Sequence, residues 1–160
     1  MSDQDQMEQS EIEPKMLFTY GTFRPADEDS PRNLDEDRLV GEGIIEGAVM
    51  FHIGGFPGVI PLDRIEGQTK GAIPDEIEST EVVGDLLDYR DMDDEEWEET
   101  LNRFDMIEGH PSMFKRERIR VEIDGTEYLT WTYFYNREPR NAPVITGGDW
   151  LDRSPRQNRF

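Results

Sequence analysis

The chain has 160 residues, no cysteine, two histidines and a formal charge of −20. That length fits one compact domain, and the missing thiols exclude a cysteine nucleophile, a disulfide scaffold and Cys-ligated zinc. The charge argues against a nucleic-acid partner, because phosphate contacts need clustered Lys and Arg.

Residues 1–14, MSDQDQMEQSEIEP, are acidic and polar. They lack the basic and apolar regions of a secretory signal, and they carry too little apolar surface to offset ordering, so a disordered tail is expected. The segment 15–21, KMLFTYG, is a short apolar run closed by glycine and reads as a buried first strand. The following RPADEDSPRNLDED is a solvent loop or a short helical turn. Residues 43–53, GIIEGAVMFHI, read as a strand with Gly47 at a bulge or a close approach. Residues 54–61, GGFPGVIP, predict a tight turn and a short strand. Residues 62–80 are polar and broken by Gly67, Gly71 and Pro74, and read as an irregular insertion.

VVGDLLDY (82–89) is another strand. DMDDEEWEETLNRFDMIEG (91–109) is the one strong helix, with acids in its first turn that suit the positive end of the dipole and Gly109 as terminator. SMFKRERIRVEI (112–123) and TEYLTWTYFYN (126–136) are strands joined by Asp124-Gly125, a hairpin signal. Near the C-terminus Trp150 is expected to dock, and residues 152–160 form a tail. Strands predominate and do not alternate with helices, so an α+β fold is expected. It is a small mixed β-barrel with one main flanking helix over residues 15–151.

Two stretches carry the same letters, LDRIEG at 62–67 and FDMIEG at 104–109. On the helix, Trp97, Leu101, Phe104 and Glu108 are spaced by four, three and four and share one apolar face, with Asp105 beside it. Glu108 is therefore carried to the inner end of the stripe. Burial there would raise a carboxyl pKa toward what a general acid/base needs; the alternative is a helix end whose carboxylate swings out to water. Glu66 follows Pro61 closely and precedes Gly67, so at most one helical turn is expected there and nothing aims its side chain inward. Tyr20-Gly21-Thr22 is the one glycine loop whose backbone N–H groups could hold a carboxylate or a carbonyl oxygen. His52 and His110 have no metal-ligand spacing, no Walker or nucleophile-elbow motif occurs, and no run approaches the roughly 18 apolar residues of a membrane span.

Seven segments in order resemble the gamma-glutamylcyclotransferase-like (AIG2-like) family. LFTYGTFRP is similar to its F-x-YGTL opening, GAVMFHIGGFPGVIP to its glycine-glycine-aromatic-proline segment and VVGDLLDY to its V-x-GELY strand. FDMIEG is similar to its LD-x-x-EG motif and FKRERIRV to the strand after it. LTWTYFYN and ITGGDW match the closing motifs. The resemblance covers roughly residues 17–151 and implies the barrel already read from the strands. It implies an enzyme that cyclises a γ-glutamyl amine or peptide to 5-oxoproline with release of an amine, without metal or cofactor. By order of motifs the acid/base would be Glu108 rather than Glu66, and substrate contacts would fall on Tyr20, Gly21, Thr22, Phe23 and Tyr133. Phe23 and Phe114 depart from the usual leucine and tyrosine. On such a fold a non-catalytic binding module or an acidic interaction protein is the alternative. The expected partner is a small γ-glutamyl molecule, with no nucleic acid and no membrane, and the chain is expected to be a monomer or weak homodimer. Many carboxylates with three lysines also suit a halophilic source, where salt screens self-repulsion; an ordinary acidic cytoplasmic protein is the other expectation.

Overall fold

The computed structural model describes residues 14–21, 36–68, 80–140, 142–145 and 147–152. The expected tails, 1–14 and 152–160, lie outside them except for Pro14 and Asp152, and so do residues 69–79 of the stretch 62–80. Five strands close a barrel in the order β1 (Met16–Thr19), β5 (Glu81–Asp88), β2 (Leu39–Glu46), β6 (Phe114–Ile123) and β7 (Thr126–Tyr135). The seam is a parallel contact between β1 and β7, with Leu17 opposite Trp131. All other barrel pairings are antiparallel. The strands β3 (Ala48–His52) and β4 (Pro57–Pro61) form a separate hairpin sheet, to which the segment around Val144 adds an edge.

The alternation of β1 explains why Met16, Leu17 and Phe18 are all apolar. Met16, Phe18 and Tyr20 join the interior cluster with Leu86, Val121 and Phe134, while Leu17 joins a second cluster on the outside. Both faces are covered, so neither can be polar.

The outer cluster is closed by the main helix, α2 (Asp94–Glu108), which follows the shorter α1 (Leu62–Gln68). Trp97, Leu101 and Phe104 are buried against Leu17, Leu87, Tyr89 and Tyr133, as the helical spacing requires. Asp93 caps the start: its carboxylate accepts from the Glu96 N–H at 2.8 Å, and Glu96 returns a bond to the Asp93 N–H, which satisfies two otherwise unpaired donors. The end is a left-handed cap at Gly109, φ 68°, with Gly109 N–H donating to Met106 and His110 N–H donating to Asp105 at 2.9 Å. That pairing fixes the direction in which the last turn, including Glu108, leaves the helix.

Three expectations change. Residues 43–53 are not one strand but the end of β2 and all of β3, which lie in different sheets. Gly47, at φ 77°, makes the break, a conformation that costs glycine little. Residues 62–68 form a helix of two turns rather than an irregular stretch. Leu62 N–H is satisfied by Gly47 O at 2.8 Å, Pro61 precedes the helix and so disrupts no internal bond, and Ile65 is fully buried among Val49, Phe51 and Ile60. That burial outweighs the roughly 1 kcal/mol propensity cost of Gly67. The strand expected from residue 43 begins earlier, at Leu39, and carries a register shift between Leu39 and Gly41. The Asp124-Gly125 hairpin forms as expected, with both residues at positive φ. Trp150 docks, buried against the His52 ring. Among the described residues no helix is long and apolar enough to cross a membrane.

Candidate active site

The end of β1, the last turn of α2, the β3–β4 turn and the start of β6 enclose a cavity of about 270 Å³, close to the lower limit of ligand pockets, about 300 Å³. Thr19, Tyr20 and Gly21 line it together with Glu108 and, from β7, Tyr133. Phe56 and Pro57 come from the hairpin sheet, and Met113 and Phe114 from the segment after the helix.

Each element reaches the site for a local reason. Gly21 packs against Pro57 so closely that a Cβ there would lie 2.8 Å from the proline Cγ; the end of β1 can approach β4 only without a side chain. Pro57 opens β4, a strand position that tolerates a missing donor. Phe56 leans on Phe114 with ring centroids 5.9 Å apart.

Behind the cavity wall Asp105 gathers three donors. Tyr133 hydroxyl donates to Oδ1 at 2.7 Å. Arg116 Nε donates to Oδ1 at 2.8 Å and Nη2 donates to Oδ2 at 3.2 Å. The guanidinium also lies 4.4 Å from the centre of the Trp131 ring, and Arg116 N–H donates to His110 Nδ1 at 3.0 Å. The Tyr20 hydroxyl donates to the carbonyl of Tyr133. Two phenols, the Asp105 carboxylate and a guanidinium therefore form one connected network, which is a pre-organised arrangement.

The two phenols report where Glu108 sits. Burial holds the Tyr20 hydroxyl well above the usual phenol range, and the negative charge of Glu108 pushes the same way, against a bond from the Val59 backbone. Tyr133 is also raised, first by burial, then by its bond to Asp105 and that carboxylate's charge; Arg116 opposes and Glu108 adds. Both phenols thus lie within electrostatic reach of Glu108.

The predicted site residues are brought together where they can be seen. Glu108, Tyr20, Gly21 and Tyr133 line one cavity. Thr22 and Phe23 lie outside the described residues. Glu66 is on α1, which packs through Ile65 into a different cluster with Val49 and Ile60. Sequence reasoning missed the aromatic and proline wall of Phe56 and Pro57, the part of Met113, and the Asp105–Arg116–Tyr133 network. One signal was present, since Asp105 falls beside the apolar stripe three residues before Glu108 on α2. Phe114, one of the two departures noted in the sequence, occupies a wall position of the cavity.

The sequence profile of the family described as gamma-glutamyl cyclotransferase, AIG2-like, matches residues 17–152. The chain belongs to this family. A Methanocaldococcus jannaschii protein that carries a provisional gamma-glutamylcyclotransferase name is 24% identical over 138 residues, spanning 85% of this chain and 95% of that one. The gamma-L-glutamyl-butirosin B gamma-glutamyl cyclotransferase of Niallia circulans is 26% identical over 128 residues, 76% of this chain and 67% of its own. Among solved structures, an AIG2-like protein from Mus musculus superposes with a TM-score of 0.55 at 18% identity, covering 81% of this chain and 84% of that one. An uncharacterized Pyrococcus horikoshii protein gives 0.53 at 14% identity, covering 91% and 97%. These two likenesses establish the fold, and the barrel of the AIG2-like family is the one built here. Among the described residues no group of three metal-ligating side chains converges.

Proposed function

We propose that the protein cyclises a γ-glutamyl amine or peptide to 5-oxoproline and a free amine, with Glu108 as acid/base. One observation carries the reading: the single carboxylate among the described lining residues, Glu108, lines the same small cavity as Tyr20 and Gly21 at the end of β1. The family membership and the activity for which the Niallia circulans relative is named support it.

The reaction needs little chemistry from the protein. The substrate's α-amine and its γ-carbonyl belong to one molecule, so holding them in a folded-back geometry supplies a large part of the acceleration. Glu108 takes a proton from the α-ammonium. The freed amine nitrogen attacks the γ-carbonyl carbon, closing a five-membered lactam. The bond from that carbon to the leaving nitrogen breaks as Glu108 returns the proton to it; the ring nitrogen then gives up its second proton through Glu108 to the released amine, which departs as an ammonium. In this reading backbone N–H groups at the end of β1 steady the developing oxyanion. Tyr20 and Tyr133 stay protonated at neutral pH, so they act as fixed dipoles and not as competing bases.

The test is 5-oxoproline release from a panel of γ-glutamyl amines and peptides. Glu108→Gln is expected to abolish turnover, a loss of at least about a thousandfold if it is the sole base, while Glu66→Gln retains it nearly intact. Full activity in both variants overturns the assignment.

A further inference from the structure

A second cleft, of about 650 Å³, lies where the chain leaves β7 beside the end of β3. Arg137, Arg140 and His52 line it together with Glu138 and the half-buried Ile53 and Tyr135. Positive charge is scarce in a chain of −20. Lys15, Arg38, Arg64, Arg90 and Arg116 each pair with a carboxylate at 2.6–2.8 Å. Arg137 and Arg140, both exposed, pair with no carboxylate among the described residues, and Glu138 between them in the chain bonds to neither. The His52 ring lies 5.1 Å from that of Trp150 and makes no hydrogen bond to a described residue.

The backbone that carries the two arginines is tied down at both ends. Asn136 N–H donates to Met113 O and its side-chain amide donates to Pro111 O, both at 2.8 Å. Ala142 N–H donates to Pro139 O at 2.9 Å, and His52 N–H donates to Pro143 O at 2.8 Å. The turn so closed holds Arg140 at φ 53°. Asp124, the other described non-glycine residue at positive φ, takes that conformation in the β6–β7 hairpin turn, which requires it. Arg140 lies in no described hairpin, and such strain persists where surrounding bonds over-determine it and clusters at ligand clamps. One guanidinium fork satisfies a carboxylate, whereas the three terminal oxygens of a phosphate monoester can take two forks and an imidazole N–H.

We propose that this cleft binds a small soluble phosphate monoester, its phosphate held by Arg137, Arg140 and His52 and its apolar body laid against Ile53 and Tyr135. The site uses neither Glu108 nor the cavity beside it, so it stands or falls apart from the cyclotransferase reading.

The probes are phenyl phosphate, benzoate and inorganic phosphate, titrated calorimetrically into the full chain at low ionic strength, where charges are least screened. Phosphatidylcholine vesicles containing phosphatidic acid test the lipid source of the same headgroup. Phenyl phosphate is expected to bind at least about tenfold more tightly than benzoate, and more tightly than inorganic phosphate. Arg137→Gln and Arg140→Gly are each expected to weaken phenyl phosphate by at least about tenfold. Arg140→Gly also relieves the positive φ, so its melting temperature is expected to stay at or above that of the wild type, which separates lost binding from a lost fold. Arg120→Gln makes the same charge change as Arg137→Gln at an exposed position of β6 outside the cleft, and is expected to shift binding by less than about twofold. Benzoate binding as tight as phenyl phosphate, a loss in Arg120→Gln as large as in Arg137→Gln, or unchanged binding in Arg140→Gly overturns the proposal. So does the absence of phenyl phosphate binding, whether or not the vesicles are captured.

Discussion

Replacing Asp105 by Asn keeps the side chain's shape and removes its charge. The native carboxylate takes two bonds from Arg116 and one from Tyr133, and the side chains of Arg116 and Asp105 are only 19% and 16% exposed. Breaking one partner of a buried pair costs about 3–5 kcal/mol because the other charge stays buried without a counter-ion. The residual exposure of both groups lets water screen part of this, so about 2–4 kcal/mol is expected. At 3 kcal/mol the melting temperature of a domain this size falls by roughly 6–12 °C. The chain carries −20 charges, so losing one carboxylate relieves repulsion, and a loss of stability would occur against that gain. Glu98→Gln makes the same charge change at an exposed position of α2 and is expected to stay within about 0.5 kcal/mol. Urea unfolding followed by tryptophan fluorescence gives the free energies. Asp105→Leu combined with Arg116→Met replaces both charges by apolar groups, and it should cost less than the two single changes added together, with a coupling of about 1–3 kcal/mol. Single costs below about 1 kcal/mol, or additive ones, would refute the claim that this pair holds the wall of the cavity.

Two further outcomes follow from the same wall. Tyr20 and Tyr133 have folded-state pKa values above the ordinary phenol value of 10.0, so the folded protein releases these protons less readily than the unfolded chain. Their contribution to stability is complete below about pH 10 and is lost as the pH rises beyond it. An ultraviolet tyrosinate titration should show these two phenols ionising only together with unfolding, and reversible ionisation of all five tyrosines in the folded state would contradict their burial. Gly21→Ala sets a Cβ 2.8 Å from Cγ and 3.0 Å from Cδ of the Pro57 ring, which has little freedom to yield. A cost of about 1–3 kcal/mol and a loss of 5-oxoproline release are expected; unchanged melting and turnover would show that the two strands separate freely.

What the sequence determined by itself was whatever depends on neighbours a few residues apart. The existence of α2 follows from the Trp97–Leu101–Phe104 spacing, the acidic first turn and the Gly109 end, the hairpin from Asp124-Gly125, and the place of Glu108 at the end of a buried stripe from the helical period; the Asp93 cap that sets its start was not read from the sequence. The order of seven motifs added the family and the preference for Glu108 over Glu66, and the barrel agreed with the family. Tertiary structure decided the rest, because the deciding partners are far apart in the chain. Gly47 sends one apolar run into two sheets only because Leu62 and Thr80 supply the backbone partners on either side of it. The helix at Leu62–Gln68 forms because Ile65 finds a core with Val49 and Val144, which outweighs the glycine that local rules treat as a stop. The cavity exists because β1 closes the barrel against β7 and so brings Tyr20, Phe56, Glu108, Met113 and Tyr133 to one place. Arg116 and Asp105, eleven positions apart, meet only because β6 returns beside the end of the helix. Periodicity shows which face of an element is buried, and only packing shows what that face is buried against.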